Sequence, residues 1–187
     1  LTSGGLVSAQ VASSGKSVTV EMGRVSFQSE DIPVSGQSRE VLNETLEING
    51  EEITFCAATI GNPHCIVLNQ NVSAQSAGRL GPLLETHPNF PNRTNVQFLE
   101  VVNRKTIRIE IWERGAGYTL ASGSSSSAAA AVAHRLGLCD AKIAVLMPGG
   151  QIDITISDNY EITMKGSVTR IGKMTLDLEC LDFEIPA

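Results

Sequence analysis

The chain has 187 residues, of which 42% are hydrophobic and 18% are charged, proportions typical of a globular protein with a sizeable core. Its net charge of −6 and its scattered lysines and arginines argue against binding to nucleic acid or to an anionic membrane. No apolar run approaches the roughly 20 residues of a membrane span, and the first residues are not typical of a signal peptide, so we expect a cytoplasmic protein.

The cysteines and histidines are too dispersed to predict a metal site. Cys56, Cys65, Cys139 and Cys180 include no Cys-x-x-Cys pair, which argues against zinc. Scattered thiols in a chain of this length are typical of a reducing compartment. The three histidines are isolated from one another, and we therefore expect no bound metal.

The first third of the chain is predicted to contain two β-hairpins separated by a surface loop. Hydrophobic residues alternate with polar ones from Val7 to Met22, on both sides of a Ser-Ser-Gly-Lys turn, which indicates the first hairpin. Residues 26–43 show no clear period and are predicted to form the loop. The second hairpin joins strands at 45–48 and 52–59 through Asn49-Gly50, a pair that tolerates the positive φ angles of a type I′ turn.

The next segment combines strands with one short helix. Residues 65–68 are predicted to resume a strand, after Pro63 holds Asn62 away from helical geometry. Residues 73–85 are predicted to form a helix that is interrupted or ended around Gly81-Pro82 and that lies over one face of a sheet.

Two further strands are predicted at 94–102 and 106–112, joined by a short turn. Asn95 stands at the start of the first strand, and Glu113 and Arg114 follow the second. Because these ends are neighbours in an antiparallel hairpin, we expect an amide, a carboxylate and a guanidinium to come together.

A helix rich in serine and alanine is predicted next. The serines at 124–127 suit its N-terminal end, the alanines at 128–131 its interior, and Gly137 its C-terminal stop. The helix has almost no charged face, so we expect strands to surround it. Its N-terminus, at Ser122-Gly123-Ser124, would then offer amide donors to a carboxylate or phosphate, although a capped structural helix explains the same residues.

The remainder is predicted to be strands. Those at 142–147, 151–156 and 161–165 suggest a meander with turns at Pro148-Gly149-Gly150 and 157–159. Residues 167–183 form a predicted strand-like tail, whose apolar residues are Ile171, Met174, Leu176 and Leu178.

Four motifs in order along the chain resemble those of the diaminopimelate epimerase family, which are amino-acid racemases that use no pyridoxal phosphate. They are Gly61-Asn62-Pro63-His64-Cys65, Arg93-Thr94-Asn95-Val96, Trp112-Glu113-Arg114-Gly115 with Thr119-Leu120-Ala121-Ser122-Gly123-Ser124, and Pro148-Gly149-Gly150. The resemblance covers nearly the whole chain. It implies an α+β fold, a strand-rich barrel wrapped around a central helix.

The resemblance also implies a second lobe of similar fold, which in this family carries a Cys-Gly-Asn-Gly motif that this chain lacks. We therefore interpret the chain as a C-terminal part. Residues 1–27 would connect from the missing N-terminal lobe, 28–166 would form the C-terminal lobe, and 167–187 would return toward the missing lobe, leaving the apolar tail residues without their usual partner.

The site residues follow by position within the matched motifs. Ser122 stands at the position of a catalytic cysteine, and His64 matches a histidine near the reacting centre, whereas strand alternation turns Cys65 into the core. The matching substrate-binding positions are Asn62, Asn95, Glu113, Arg114, Gly123 and Ser124, with Glu113 toward an ammonium group and Arg114 toward a carboxylate. The implied partners are an amino-acid substrate and the missing lobe, without a cofactor, and a homodimer is left open.

The implied activity is the interconversion of LL- and meso-diaminopimelate by proton transfer between two groups on opposite faces of the substrate. Other functions remain open. Because Ser122 replaces a thiol, the protein could instead bind an amino acid without racemising it, or it could be another racemase or isomerase of the same fold, such as one resembling proline racemase. From the residues alone, Asn62 equally suits an Asx turn, and His64 a satisfied, half-buried histidine.

Overall fold

The computed structural model describes residues 7–177 and 179, and within them the chain forms eleven β-strands and two α-helices. The elements are β1 (Ser8–Val11), β2 (Ser17–Arg24), β3 (Glu44–Ile48), β4 (Glu51–Thr59), β5 (Pro63–Leu68), α1 (Ala74–Glu85), β6 (Asn95–Asn103), β7 (Thr106–Glu113), β8 (Gly117–Thr119), α2 (Gly123–Arg135), β9 (Lys142–Met147), β10 (Gly150–Ile156) and β11 (Glu161–Ser167). The fold is α+β and rich in strands, as predicted.

All eleven strands belong to one sheet with the order β1-β2-β11-β10-β9-β7-β6-β5-β4-β3, and β8 pairs with β7. Neighbours are antiparallel except for β5 with β6 and β7 with β9. Helix α1 lies within the first of these parallel connections, and β8 and α2 lie within the second.

The sheet curves around α2, but it does not close into the expected barrel, because it remains open between β1 and β3 in the described part of the chain. The segment after β2 meets the end of β4 through an isolated bridge between Ser26 and Thr59, which does not extend into a ladder. Residues 26–43 then continue as irregular backbone along the gap, with one further isolated bridge between Gln28 and Glu40.

Helix α2 is enclosed by the curved sheet, as its sequence predicted. It contacts strands β4 to β7 and β9 to β11, and residues 128–133 are completely buried. The alanines let the strands approach the helix axis, and the facing side chains are aliphatic, including Ile107, Ile109 and Ile111 of β7. The main hydrophobic core therefore surrounds the helix.

A second core lies on the opposite face of the sheet, beneath α1. Strand β4 serves both cores, since Phe55 and Ala57 face α1 while Cys56 and Ala58 face α2. Cys65 belongs to this second core, as strand alternation predicted.

Helix α1 continues through Pro82 to Glu85, so the predicted interruption near Gly81-Pro82 is wrong. Proline removes one intrahelical hydrogen bond. The last turn is nevertheless held by burial of Leu80 and Leu84 and by the Thr86 hydroxyl, which donates to the Pro82 carbonyl at 2.9 Å. The helix contacts β6, β7 and β8, in agreement with its predicted place over one sheet face.

The Asn49-Gly50 turn has the predicted positive φ angles, 54° and 81°. The predicted strand-like tail is wrong for residues 168–177, which form no strand and leave Ile171, Met174 and Leu176 exposed. Leu178 lies outside the described residues. Neither α1 nor α2 is long and apolar enough to cross a membrane.

Candidate functional site

The candidate site is built on the N-terminus of α2. Ser122 has an extended backbone, with φ −154°, and its Oγ accepts from the Ser125 amide at 3.5 Å, which makes it the N-cap. Within the described residues, the amides of Gly123 and Ser124 donate to no protein acceptor. These two amides and the helix dipole together favour an anion at this position.

The turn between β4 and β5 brings Asn62 and His64 to this helix end. Gly61 has φ 104°, a conformation that favours glycine and lets the turn reverse sharply. The Asn62 Nδ2 donates to Ser124 Oγ at 3.4 Å, and its Oδ1 lies 3.0 Å from His64 Nε2. Among the predicted site residues, Asn62 therefore contacts both His64 and Ser124.

His64 is fully buried, not half-buried. Burial disfavours the charged imidazolium and lowers the pKa of His64 to about 4. A hydrogen-bonding interaction with Gln97 opposes this shift, and the positive charge of Arg114 adds to it. His64 is accordingly a neutral group near pH 7, able to donate or accept one hydrogen bond at each nitrogen according to its tautomer.

Gln97 was not predicted as a site residue. It is completely buried on β6, and its Nε2 lies 3.0 Å from Ser125 Oγ. The available signal was a polar residue between Val96 and Phe98, in the first half of β6, which is buried on both faces. The sequence alone does not distinguish this position from a solvent-facing one.

Asn95 joins the two strand ends through its side-chain amide. Its Nδ2 donates to the Pro63 carbonyl at 2.9 Å, and its Oδ1 accepts from the Arg114 backbone amide at 3.0 Å. The Arg114 guanidinium donates instead to the Asn92 carbonyl, and Glu113 accepts from the Thr119 hydroxyl at 3.4 Å. The start of β6 and the end of β7 are neighbours, as expected. Asn95, however, contacts the backbone amide of Arg114 and not its guanidinium group.

The buried carboxylate of Glu85, which was also not predicted as a site residue, connects α1 to β7 and to the turn that follows β7. Glu85 accepts hydrogen bonds from Trp112 Nε1 at 2.7 Å and the Gly115 amide at 2.9 Å, and it forms an ion pair with Arg93. Burial alone raises the pKa of the Glu85 carboxyl. The hydrogen bonds from Trp112 and Gly115 and the charge of Arg93 outweigh burial, so the pKa lies below its usual value.

Among the described cysteines, no thiol is a candidate for proton transfer at the helix end. Cys56, Cys65 and Cys139 are all buried, and burial raises the pKa of each of them. Within the described residues, moreover, no group of three or more histidine, cysteine or acidic side chains is arranged to hold a metal. The predicted acid/base position at the N-cap of α2 is occupied by the hydroxyl of Ser122.

An open and largely apolar cavity of about 450 Å³ begins at Ala121, one residue before the N-cap. Met147, Ile152 and Met164 line it, as does Val168 at the beginning of the tail.

Comparisons with known proteins agree on one family. Residues 56–171 match the family model described as diaminopimelate epimerase. The chain is 57% identical over 183 residues to "Diaminopimelate epimerase 2" of Nostoc sp. (strain PCC 7120), covering 98% of this chain and 64% of that protein. It is 38% identical to a diaminopimelate epimerase of Alkaliphilus metalliredigens, covering 84% of this chain and 56% of that protein. The chain thus spans less than two thirds of the length of these relatives.

Solved structures support the fold. A hydroxyproline epimerase from Agrobacterium vitis, with bound trans-4-hydroxy-L-proline, matches with a TM-score of 0.65 and 18% identity, covering 88% of this chain and 54% of that one. A probable proline racemase from Agrobacterium radiobacter gives a TM-score of 0.64 and 16% identity, covering 96% of this chain and 59% of that one. At these identities the similarity is one of fold.

Proposed function

The chain belongs to the diaminopimelate epimerase family, and from this premise we propose that it is the C-terminal region of a pyridoxal-independent amino-acid epimerase. In the intact protein it would interconvert LL- and meso-diaminopimelate. The observation that carries the proposal is the N-terminus of α2, where the Gly123 and Ser124 amides have no acceptor among the described residues and the Asn62 side chain contacts Ser124 Oγ.

The helix N-terminus would bind the carboxylate of the reacting amino acid. The Gly123 and Ser124 amides point along the helix axis, and the helix dipole adds a partial positive charge. Arg114 and Glu113 leave β7 near the same end of β5 and β6 and would contact the charged groups farther along the substrate. His64, which contacts Asn62, is neutral near pH 7, so its imidazole adds no charge to the carboxylate position.

Epimerisation requires that the α-carbon lose a proton on one face and gain one on the other. A base takes the proton and leaves the C–H electron pair on the substrate, as a carbanion delocalised into the carboxylate. The donors of the helix N-terminus stabilise that developing charge. A second group then protonates the opposite face of the α-carbon, which restores the C–H bond with inverted configuration.

Ser122 stands at one of these two positions. Its Oγ already accepts from the Ser125 amide, so the hydroxyl proton is free to point toward a substrate. A hydroxyl is far less acidic than a thiol and does not ionise near pH 7, and this limits it as a base. We propose that the opposing group comes from a second lobe, as the length of the relatives suggests.

Ser122 also favours a second candidate function, the binding of an amino acid without racemisation. The carboxylate-binding amides belong to the backbone, so they persist whichever side chain occupies position 122. Binding would then survive where turnover does not.

The two functions are separated by Ser122→Cys in the intact protein, with Ser122→Ala as the matched control. For the epimerase, Ser122→Cys should accelerate deuterium exchange into the α-position of diaminopimelate, with calorimetric affinity changed by less than tenfold. Ser122→Ala should bind equally and exchange no faster than the unsubstituted protein. A tenfold or larger affinity change with exchange at background, equivalent to about 1.4 kcal/mol, would place residue 122 in a binding surface and refute the epimerase.

A further inference from the structure

The turn Pro148-Gly149-Gly150 is the one matched motif that contributes no residue to the candidate site. It joins β9 to β10, and it lies against residues 120–122, which connect β8 to α2. The Gly149 amide donates to the Leu120 carbonyl at 2.8 Å. Because Leu120 lies two residues before Ser122, this hydrogen bond ties the turn to the segment that leads into the acid/base position.

The contact between the turn and this segment leaves no room for a side chain at position 149. A Cβ atom there would lie 2.9 Å from the Leu120 carbonyl oxygen, 3.1 Å from the Leu120 carbonyl carbon and 3.0 Å from Ala121 Cβ. None of these atoms can rotate away, so a side chain would displace residues 120 and 121 together. Gly149 does not have a positive φ, so the close approach, and not the backbone conformation, is what requires glycine.

Strand β9 also contacts the first turn of α2. Ser126 Oγ donates to the Ser122 carbonyl at 2.8 Å and lies 3.2 Å from Met147 Sδ, and Met147 is the residue that precedes the turn. Ser122 is therefore held on two sides by β9 and its turn. Gly149 acts before it, through Leu120, and Met147 acts after it, through Ser126.

Gly123, the first residue of α2, is held independently of the turn. Its carbonyl accepts from Ser127 Oγ at 2.8 Å, and a Cβ atom added to it would lie 2.8 Å from Met164 Sδ on β11. The helix therefore begins in a fixed position between its own serines and β11. A displacement of the connection before it would be absorbed at Ser122, whereas the Gly123 and Ser124 amides would stay in place.

We propose that Gly149 is a positioning residue, which through Leu120 fixes the group at position 122 relative to the amides that would bind the carboxylate. Proton transfer depends strongly on such placement, because a misplacement of about 1 Å can cost roughly 10²-fold in rate. The effect on proton transfer rests on the proposed function, whereas the position of residue 122 does not.

The position of residue 122 can be measured through a thiol. In the intact protein, Ser122→Cys places a thiol at the N-cap, where the helix dipole and the Ser125 amide should lower the thiol pKa below its usual value of about 8.5. The pH dependence of alkylation by iodoacetamide gives this pKa. Mass spectrometry of the peptide that contains residue 122 separates this thiol from the other cysteines.

Adding Gly149→Ala to Ser122→Cys should move the thiol away from its donors. We expect the thiol pKa to rise toward 8.5, so that alkylation at pH 7 slows by about threefold or more. The matched control adds Gly166→Ala instead, because Gly166 lines the same cavity but a Cβ atom there meets no atom within 4 Å, and neither glycine has a positive φ. The control should leave the pKa unchanged, and an equal pKa in the two double variants overturns the proposal.

The unsubstituted intact protein supplies a second measurement, which is independent of whether Gly149→Ala folds. Without ligand, the Gly149 amide should exchange its hydrogen with solvent more slowly than the Gly123 amide, as observed by NMR. The reason is that Gly149 donates to Leu120, whereas the Gly123 amide has no acceptor among the described residues. Exchange of the Gly149 amide at the rate of the Gly123 amide overturns the proposal.

Deuterium exchange into diaminopimelate and calorimetry then test the consequence for the reaction. In the Ser122→Cys protein, we expect Gly149→Ala to slow exchange by about tenfold or more and to change affinity by less than about threefold, and Gly166→Ala to change neither. Equal losses of exchange and affinity overturn the proposal, because the whole end of the helix would then have moved. If Gly149→Ala shifts the thiol pKa but no protein exchanges deuterium, the positioning of residue 122 stands and the proposed function fails.

Discussion

His64 shows how burial sets the chemistry of a single residue. Its imidazole is enclosed by the sheet and the end of α2, and its pKa of about 4 lies below the usual value of about 6.5 for an unfolded chain. Between these two pH values the unfolded chain binds the proton more readily than the folded one. Acid therefore favours unfolding within that window.

We expect the shifted pKa of His64 alone to lower the free energy of unfolding by roughly 3 kcal/mol as the pH is lowered from about 6.5 to 4. Urea unfolding at several pH values would measure it. His64→Gln should lose this part of the pH dependence, because no imidazole remains to be charged at that position. His87→Gln serves as the control and should retain the full pH dependence. If the free energy of unfolding changed with pH by the same amount in His64→Gln and in the unsubstituted protein, the prediction would be contradicted.

At the scale of elements, the packing of α1 against β7 depends on one close approach. A Cβ atom at Gly81 would lie 2.5 Å from Trp112 Cγ and 2.6 Å from Trp112 Cβ. Gly78, one turn earlier in the same helix, is exposed, and a Cβ there would meet no atom within 4 Å. The two glycines share a helix and differ only in what they face.

Alanine at these two positions should have opposite effects. Gly78→Ala should stabilise the protein by roughly 0.5–1 kcal/mol, because alanine has the higher helix propensity. Gly81→Ala should destabilise it by about 1–3 kcal/mol, since helix and tryptophan must separate. Chemical denaturation of both variants measures this, and stabilisation by Gly81→Ala would show that the approach is looser than described.

Glu85 connects three elements, α1, β7 and the turn that follows β7. Because Glu85→Ala leaves Trp112 Nε1 and the Gly115 amide without their acceptor, we expect a loss of about 3 kcal/mol in the free energy of unfolding. Asp140→Ala, which removes an exposed ion pair with Arg104, should cost less than about 1 kcal/mol. Similar losses in the two variants would mean that Glu85 behaves as a surface charge.

The elements differ in how far the sequence could predict them. The small residues of α2 have no polar stripe, and that absence predicted an enclosed helix. Helix α1 was misjudged at Pro82, because helix propensity is local whereas burial of the last turn is tertiary. Gln97 and Glu85 were missed for a related reason, since polar residues on strands and helix ends are usually solvated and their burial depends on distant partners.

At the scale of the whole molecule, apolar surface remains uncovered beside the candidate site. The cavity that begins at Ala121 is largely apolar, and Val168, at its edge, begins a tail in which Ile171, Met174 and Leu176 are exposed. The domain boundaries predicted at residues 27 and 166 remain predictions. We propose that the second lobe covers this exposed apolar tail.

We expect the 187-residue chain alone to exchange no deuterium into the α-position of diaminopimelate above background. One acid/base position is a serine, and the proposed opposing group is not among the described residues. Loss of a general acid or base typically costs a factor of 10² to 10⁴. Exchange above background, detected by mass spectrometry of the recovered amino acid, would show that the chain holds both groups.

The pairing of β2 with β11 has a consequence for how the chain folds. It joins residues 17–24 to residues 161–167, so the sheet is completed only when nearly all of the chain is available. Helix α2, built from small side chains, gains little from any single strand and becomes stable only once strands enclose it. Contacts between residues so distant in sequence slow folding. During synthesis, β2 therefore cannot pair with β11 until residues 161–167 have been made. We expect folding to be late, slow and cooperative.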